Sequence, residues 1–123
     1  MTSNGFTTEE HLKSKKRIEQ IFSEGKSLKA YPLLAVYVPL EASATNNQAG
    51  FSVSKKKFKR AVDRNLLKRR MREAYRLNKA LLTGGSQHLA IMFIYMPKEI
   101  QSSEQISKGM QKTLSKLAAK KQG

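Results

Sequence analysis

The apolar residues of this chain form stripes at helical spacing and short runs that are continuous or alternating. Ile18, Ile21 and Phe22 recur at i, i+3 and i+4, which predicts a helix over Lys15–Glu24. Ser14 stands where an N-cap is needed, and Thr7 with Glu10 forms a second candidate cap, a capping box. Gly25 suits a left-handed C-terminal cap. Lys26–Lys29 reads as a short edge strand, and Leu33–Val38 as a strand apolar on both faces that stops at Pro39. Residues 41–49 are small and polar and read as a surface loop. Phe51 and Val53 alternate with Ser52 and Ser54, so Gly50–Ser54 is a strand. A long basic helix follows, and Gly84-Gly85 within Thr83–Gln87 marks a turn. Leu89–Met96 is a buried strand closed by Pro97. Ser102 or Ser103 caps a last helix whose stripe is Ile106, Met110, Leu114, Leu117 and Ala118. Lys116, Lys120 and Lys121 stand at its C-terminal end, where the dipole favours cations.

The order is helix, three strands, helix, strand, helix. Helices and strands do not alternate regularly, so the expected class is α+β, with helices packed on one mainly antiparallel sheet. At 123 residues and 39% hydrophobic, the chain reads as a single domain, 1–123, with loose tails at about 1–7 and 119–123.

Composition removes several functions. Cysteine is absent, which excludes disulfides, thiolate metal sites and a thiol nucleophile. The first residues are polar and have no apolar signal core. The longest apolar run, Leu89–Pro97, is far short of the ~20 residues a membrane span needs. A soluble, cytoplasmic protein is expected. His11 and His88 have no partner at metal or triad spacing, and Asp63 and Glu73 make no acid–base pair. No protein catalytic residue and no protein metal site are expected.

Charge points the other way. Twelve of the 24 Lys and Arg residues lie between Lys55 and Lys79, against Asp63 and Glu73, so this segment carries +10 of the net +15. A basic face on a folded helix is the footprint of a nucleic-acid-binding protein. Advancing roughly 100° per residue from Ala61 places Arg64, Asn65, Lys68, Arg69, Arg72 and Arg76 within about 140° of arc. Ala61 and Tyr75 fall in the same arc, the one admitting close backbone approach, the other offering a ring to a base or sugar. Val62, Leu66, Leu67, Met71, Ala74 and Leu77 fill the opposite arc and are the expected packing face. Exposed helix faces normally mix signs in i,i+4 pairs, but this arc contains no acid. Arginine forks match phosphate geometry, and Asn65 adds a neutral donor and acceptor.

These residues resemble a known family. Gly50-Phe51-Ser52-Val53-Ser54-Lys55-Lys56, followed by Arg60-Ala61-Val62-Asp63-Arg64-Asn65-Leu66-Leu67-Lys68-Arg69-Arg70-Met71-Arg72-Glu73-Ala74-Tyr75-Arg76, resembles the signature of the bacterial ribonuclease P protein subunit. Glu19-Gln20-Ile21-Phe22 through Gly25-Lys26-Ser27 resembles that family's first helix and the turn after it. The likeness runs from about Leu12 to the last helix. It implies a four-stranded sheet with three helices in αβββαβα order, ribosomal protein S5 domain 2-like, with a left-handed crossover at the basic helix.

The resemblance also implies a role: binding a catalytic RNA that, with magnesium held mainly by the RNA, removes the 5′ leader of precursor tRNA. The implied partners are ribonuclease P RNA and precursor tRNA, with no membrane and no DNA. Arg64, Asn65, Lys68, Arg69 and Arg72 match the motif that contacts the catalytic RNA. Arg76 joins them by its place on the helix, and Lys55 and Lys56 match the basic end of the preceding strand. Ile18, Phe22 and Val36 match a cleft for the single-stranded leader, where family members often carry aromatics at the first and third positions. A structural RNA-binding module of ribosomal type, a DNA-binding domain and a cationic membrane-surface helix are the alternative classes. The last is disfavoured because the core needs the apolar face. The DNA reading is disfavoured because a strand leads directly into the helix.

Overall fold

Alternating side chains in four strands build one sheet with a different set of helices on each face. The structure, a computed structural model, describes residues 12, 14–41, 44, 46–82 and 88–122. Its elements are α1 (Lys15–Glu24), β1 (Lys26–Ala30), β2 (Leu33–Pro39), β3 (Gln48–Ser52), α2 (Ala61–Asn78), β4 (Leu89–Tyr95) and α3 (Ser103–Gln122), with a 3-10 turn at Lys79–Leu82. This is the expected αβββαβα order. The Thr7–Glu10 cap, His11, the 1–7 tail and the Gly84-Gly85 turn lie outside the described residues.

The strand order is β1-β2-β4-β3. β1–β2 and β2–β4 are antiparallel, and β3–β4 is parallel. Parallel neighbours need a long crossover, and α2 supplies it. The sheet is thus mixed, with two of its three pairings antiparallel, as the α+β reading expected. Register sorts the side chains into two faces. Leu33, Ala35 and Tyr37 of β2 align with Tyr95, Phe93 and Ile91 of β4 and pack in the core that α2 and α3 cover. Val36 and Val38 align with Met92 and Ala90 and pack with Ile21 of α1.

α1 begins where expected: the Ser14 hydroxyl accepts from the Arg17 amide at 3.2 Å. Its end differs. Gly25 has φ −69° and ψ 153°, an extended conformation and not a left-handed cap, because the chain enters β1 at the next residue. Glycine is needed here for space: a Cβ would stand 2.3 Å from the Ile21 carbonyl oxygen. β3 begins at Gln48, inside the expected loop, because Ala49 pairs with Ile91 and is 1% exposed. α3 starts with a capping box, Gln105 N–H donating to the Ser102 hydroxyl and Ser102 N–H to the Gln105 side chain, both at 3.2 Å. Its stripe of Ile106, Met110, Leu114 and Leu117 is fully buried, as its spacing predicts. The helix continues through most of the stretch expected as a C-terminal tail.

Gly109 shows what fixes α3 on the sheet. A Cβ there would lie 2.4 Å from Cδ of Pro32, which opens β2 from the β1–β2 turn. Gly109→Ala should therefore lose stability despite gaining about 1 kcal/mol of helix propensity. We expect a net loss of about 1–3 kcal/mol in urea denaturation. Unchanged or higher stability would mean that the Pro32 ring gives way.

Candidate functional site

The basic face is built by a strand, a turn and a helix in direct succession. After β3, Val53 and Phe58 are buried, and the three lysines between them, Lys55, Lys56 and Lys57, are exposed. The Ser54 hydroxyl accepts from the amides of Lys56 and Lys57 at 3.1 and 3.4 Å, and Phe58 N–H donates to the Ser54 carbonyl. Phe58 sets its ring 5.8 Å from that of Tyr95, anchoring the turn. Lys57 donates to the Met96 carbonyl at 2.5 Å. Among the described residues no such bond engages the Nζ of Lys55 or Lys56, so the turn displays those two.

The core fixes the rotation of α2. Its buried residues are Leu67, Met71, Ala74 and Tyr75. This corrects the expected face in two ways. Tyr75 is 1% exposed, so it is not a stacking platform; its ring meets Phe93 at 5.6 Å and Phe51 at 6.1 Å. Val62 and Leu77, expected in the core, are 59% and 62% exposed, and Leu66 is half-buried. The reason is lateral. The aromatic pair Phe51–Phe93 on the sheet draws Tyr75 inward and turns the Val62–Leu66–Leu77 side out.

The expected cations remain accessible, but they are not equivalent. Asn65, Arg69 and Arg72 are exposed and Lys68 is half-buried. Arg72 sits 5.9 Å from the centre of the Phe51 ring, a cation–π contact that ties the helix face to the edge strand β3. Arg64 donates from one nitrogen to the carbonyls of Phe58 and Lys59 at 2.8 and 2.9 Å, so it also holds the turn before α2. Arg76 is paired with Glu73, the carboxylate accepting from Arg76 Nε at 3.0 Å. That corrects the acid-free arc. The Arg76 hydrogen bond holds the Glu73 carboxyl below its ordinary range. The pair is therefore intact above the ordinary carboxylate pKa and is lost as pH falls through the lowered one. Arg70, outside the expected set, donates to the Gln101 carbonyl at 2.6 Å and fastens α2 to the segment after β4.

The second candidate site lies across the sheet. Phe22 of α1 is 56% exposed, while Ile18 and Val36 are half-buried beside the cluster around Ile21. Ile18 and Val36 pack against that cluster, and Phe22 stands one helical turn from Ile18 on α1. Beyond them the pairing aligns Lys29, Leu34, Ile94 and Ser52 in one cross-strand row. Leu34, Ile94 and Ser52 are half-buried and Lys29 is exposed, so the row adds a cation to the face. Lys29 is not among the expected cleft residues, although Leu28 and Ala30 point inward on either side of it and its outward direction follows from strand periodicity.

The chain is similar to known proteins along most of its length. A family model described as Ribonuclease P matches residues 6–118. The Porphyromonas gingivalis ribonuclease P protein component is 39% identical over 119 residues, covering 93% of this chain and 87% of that protein. The counterpart from Chlorobaculum tepidum is 37% identical over 108 residues, covering 76% of this chain and 68% of that protein. Among solved structures, the RNase P protein from Thermotoga maritima superposes with a TM-score of 0.73 at 25% identity, covering 87% of this chain and 96% of that one.

The two arginines separate by measurement. Arg64→Ala removes a charged donor from two carbonyls and should destabilise the protein by about 1–3 kcal/mol. Arg69→Ala removes an exposed side chain and should stay within about 0.5 kcal/mol of the parent. Urea denaturation of both variants checks this; equal effects would mean that Arg64 does not secure the turn.

Proposed function

Because this chain belongs to the ribonuclease P protein family, we propose that it is the protein subunit of a ribonuclease P ribonucleoprotein, binding the catalytic RNA through α2 and the 5′ leader of precursor tRNA across the α1 side of the sheet. The observation that carries this reading is the outward face of α2. It presents Asn65, Lys68, Arg69 and Arg72 on a helix whose rotation the core fixes, and Lys55 and Lys56 are exposed on the turn that leads into it. Cations held at fixed spacing neutralise successive phosphates and release their counterions. Arg64 contributes from the turn it secures. Arg76 joins once a phosphate competes with Glu73 for its guanidinium.

In this reading the protein supplies binding and orientation, and the RNA supplies the hydrolytic chemistry at the leader–tRNA junction. Among the described residues no group of three or more metal-ligating side chains converges. The proposed place for the magnesium ions is the RNA. The leader lies over Phe22, Ile18, Val36 and the Leu34–Ile94 row, with Lys29 at one end for its phosphates. Phe22 is the one aromatic ring among the three proposed cleft residues, so the leader gains one stacking contact there and otherwise apolar packing. Among the described residues no helix is long and apolar enough to cross a membrane.

Two measurements test the proposal. Purified protein should cleave no precursor tRNA alone and should stimulate leader removal at low salt once the RNA subunit is added. Cleavage without RNA would overturn the division of labour. Arg69→Ala should weaken binding to the RNA subunit and flatten the log–log salt dependence by about 0.7–0.9. An unchanged slope would remove Arg69 from the interface.

A further inference from the structure

The outward side of α2 is not purely cationic. Val62, Asp63, Asn65, Leu66 and Arg69 line an open recess of about 420 Å³ in the first turns of the helix. Val62 and Leu66 are one turn apart on the side turned away from the core, and Val62 is 59% exposed. The core takes Leu67 and Met71 from these turns, which leaves Val62 exposed and Leu66 half-buried. A polyanion seated on Asn65 and Arg69 must cover them.

A phosphate does not suit this recess. Two of its five lining side chains are aliphatic, and burying a phosphate against them removes water without supplying donors. A third is Asp63, whose charge repels a phosphate and whose carboxylate can accept from a base amino or imino group. The same set suits a nucleobase. The face of a base is apolar and packs on Val62 and Leu66. Its edge carries donors and acceptors that the Asn65 amide can meet in pairs, and the Arg69 guanidinium can stack on its plane. The volume is within the range of small-molecule sites and exceeds the needs of one base.

We propose that this recess receives one unpaired base of the RNA subunit, so that α2 reads a nucleotide as well as a line of phosphates. This rests on the proposed docking of α2 on that RNA and adds a contact that salt does not screen. Asp63 and Asn65 make the site selective for the base edge, and Val62 and Leu66 make it bind.

The test is the double variant Val62→Thr with Leu66→Gln, compared with the parent protein for binding to the full-length RNA subunit at several salt concentrations. Affinity should fall about tenfold, as for the lost burial of one aliphatic side chain, with an unchanged salt slope, whereas Arg69→Ala changes the slope. Urea denaturation verifies that the variant is folded; Val62→Thr alone, isosteric and exposed, serves if the double variant is not. Base-specific chemical probing should then show one nucleotide protected by the parent and not by the variant. An abasic substitution at that nucleotide should weaken the parent about as much, and the variant no further. Equal affinity of parent and variant would overturn the inference and leave α2 docking intact. So would an altered slope, or a change only in the self-association of the free protein, which would make the recess a protein–protein surface. Failure of the parent itself to bind the RNA would instead bring down the functional reading on which this one stands.

Discussion

The seating of Tyr75 between α2 and the sheet determines what this protein can present to a partner. Its ring is fully buried against Phe93 and Phe51, with Leu67, Met71 and Ala74 completing the contact. Aromatic pairs of this kind add about 0.5–1.5 kcal/mol each beyond the area they bury. They also remove the helix's freedom to roll about its axis. With that rotation fixed, Asn65, Arg69 and Arg72 are exposed on the outer side, and Arg72 lies over the Phe51 ring. A helix carrying this much positive charge would otherwise gain by fraying or turning; the aromatic contact makes its surface a defined pattern.

The sheet separates two surfaces. Residues of one parity on β2 and β4 bury against α2 and α3, and residues of the other parity pack with α1. α1 covers only part of its face, because Ile21 packs near Val38 and Ala90 while the Leu34–Ile94 row remains half-buried. The cationic helix and the partly apolar face are therefore outer surfaces of opposite layers. That arrangement suits a protein proposed to stand between a structured RNA and a single strand, because each RNA can be held without displacing the other.

Much of the architecture was legible in the sequence. The order of elements, the Ser14 cap, the buried stripe of α3 and the placement of the exposed basic residues followed from spacing alone. Four features did not. Tyr75 lies at the margin of the helical arc, where periodicity cannot say whether an aromatic ring turns in or out; the decision belongs to Phe51 and Phe93, which are distant in sequence. Val62 and Leu77 read as core because they are apolar, yet the buried face is narrow and other residues fill it. Gly25 read as a left-handed cap because glycine usually serves there, whereas the immediate entry into β1 demands space against the Ile21 carbonyl. The division of the arginines into displayed and engaged was also out of reach, since the carbonyls that hold Arg64 and Arg70 belong to turns whose path only the folded chain defines.

The two-surface account is tested most directly by tethered hydroxyl-radical probing, for which a chain without cysteine is well suited. A cleaving reagent attached through Ala61→Cys, exposed within the basic face, should cut the RNA subunit when the complex with precursor tRNA is assembled. The same reagent attached through Phe22→Cys should cut the precursor leader. Cuts in the leader from position 61 and in the RNA subunit from position 22, or in neither RNA from either position, would contradict the account.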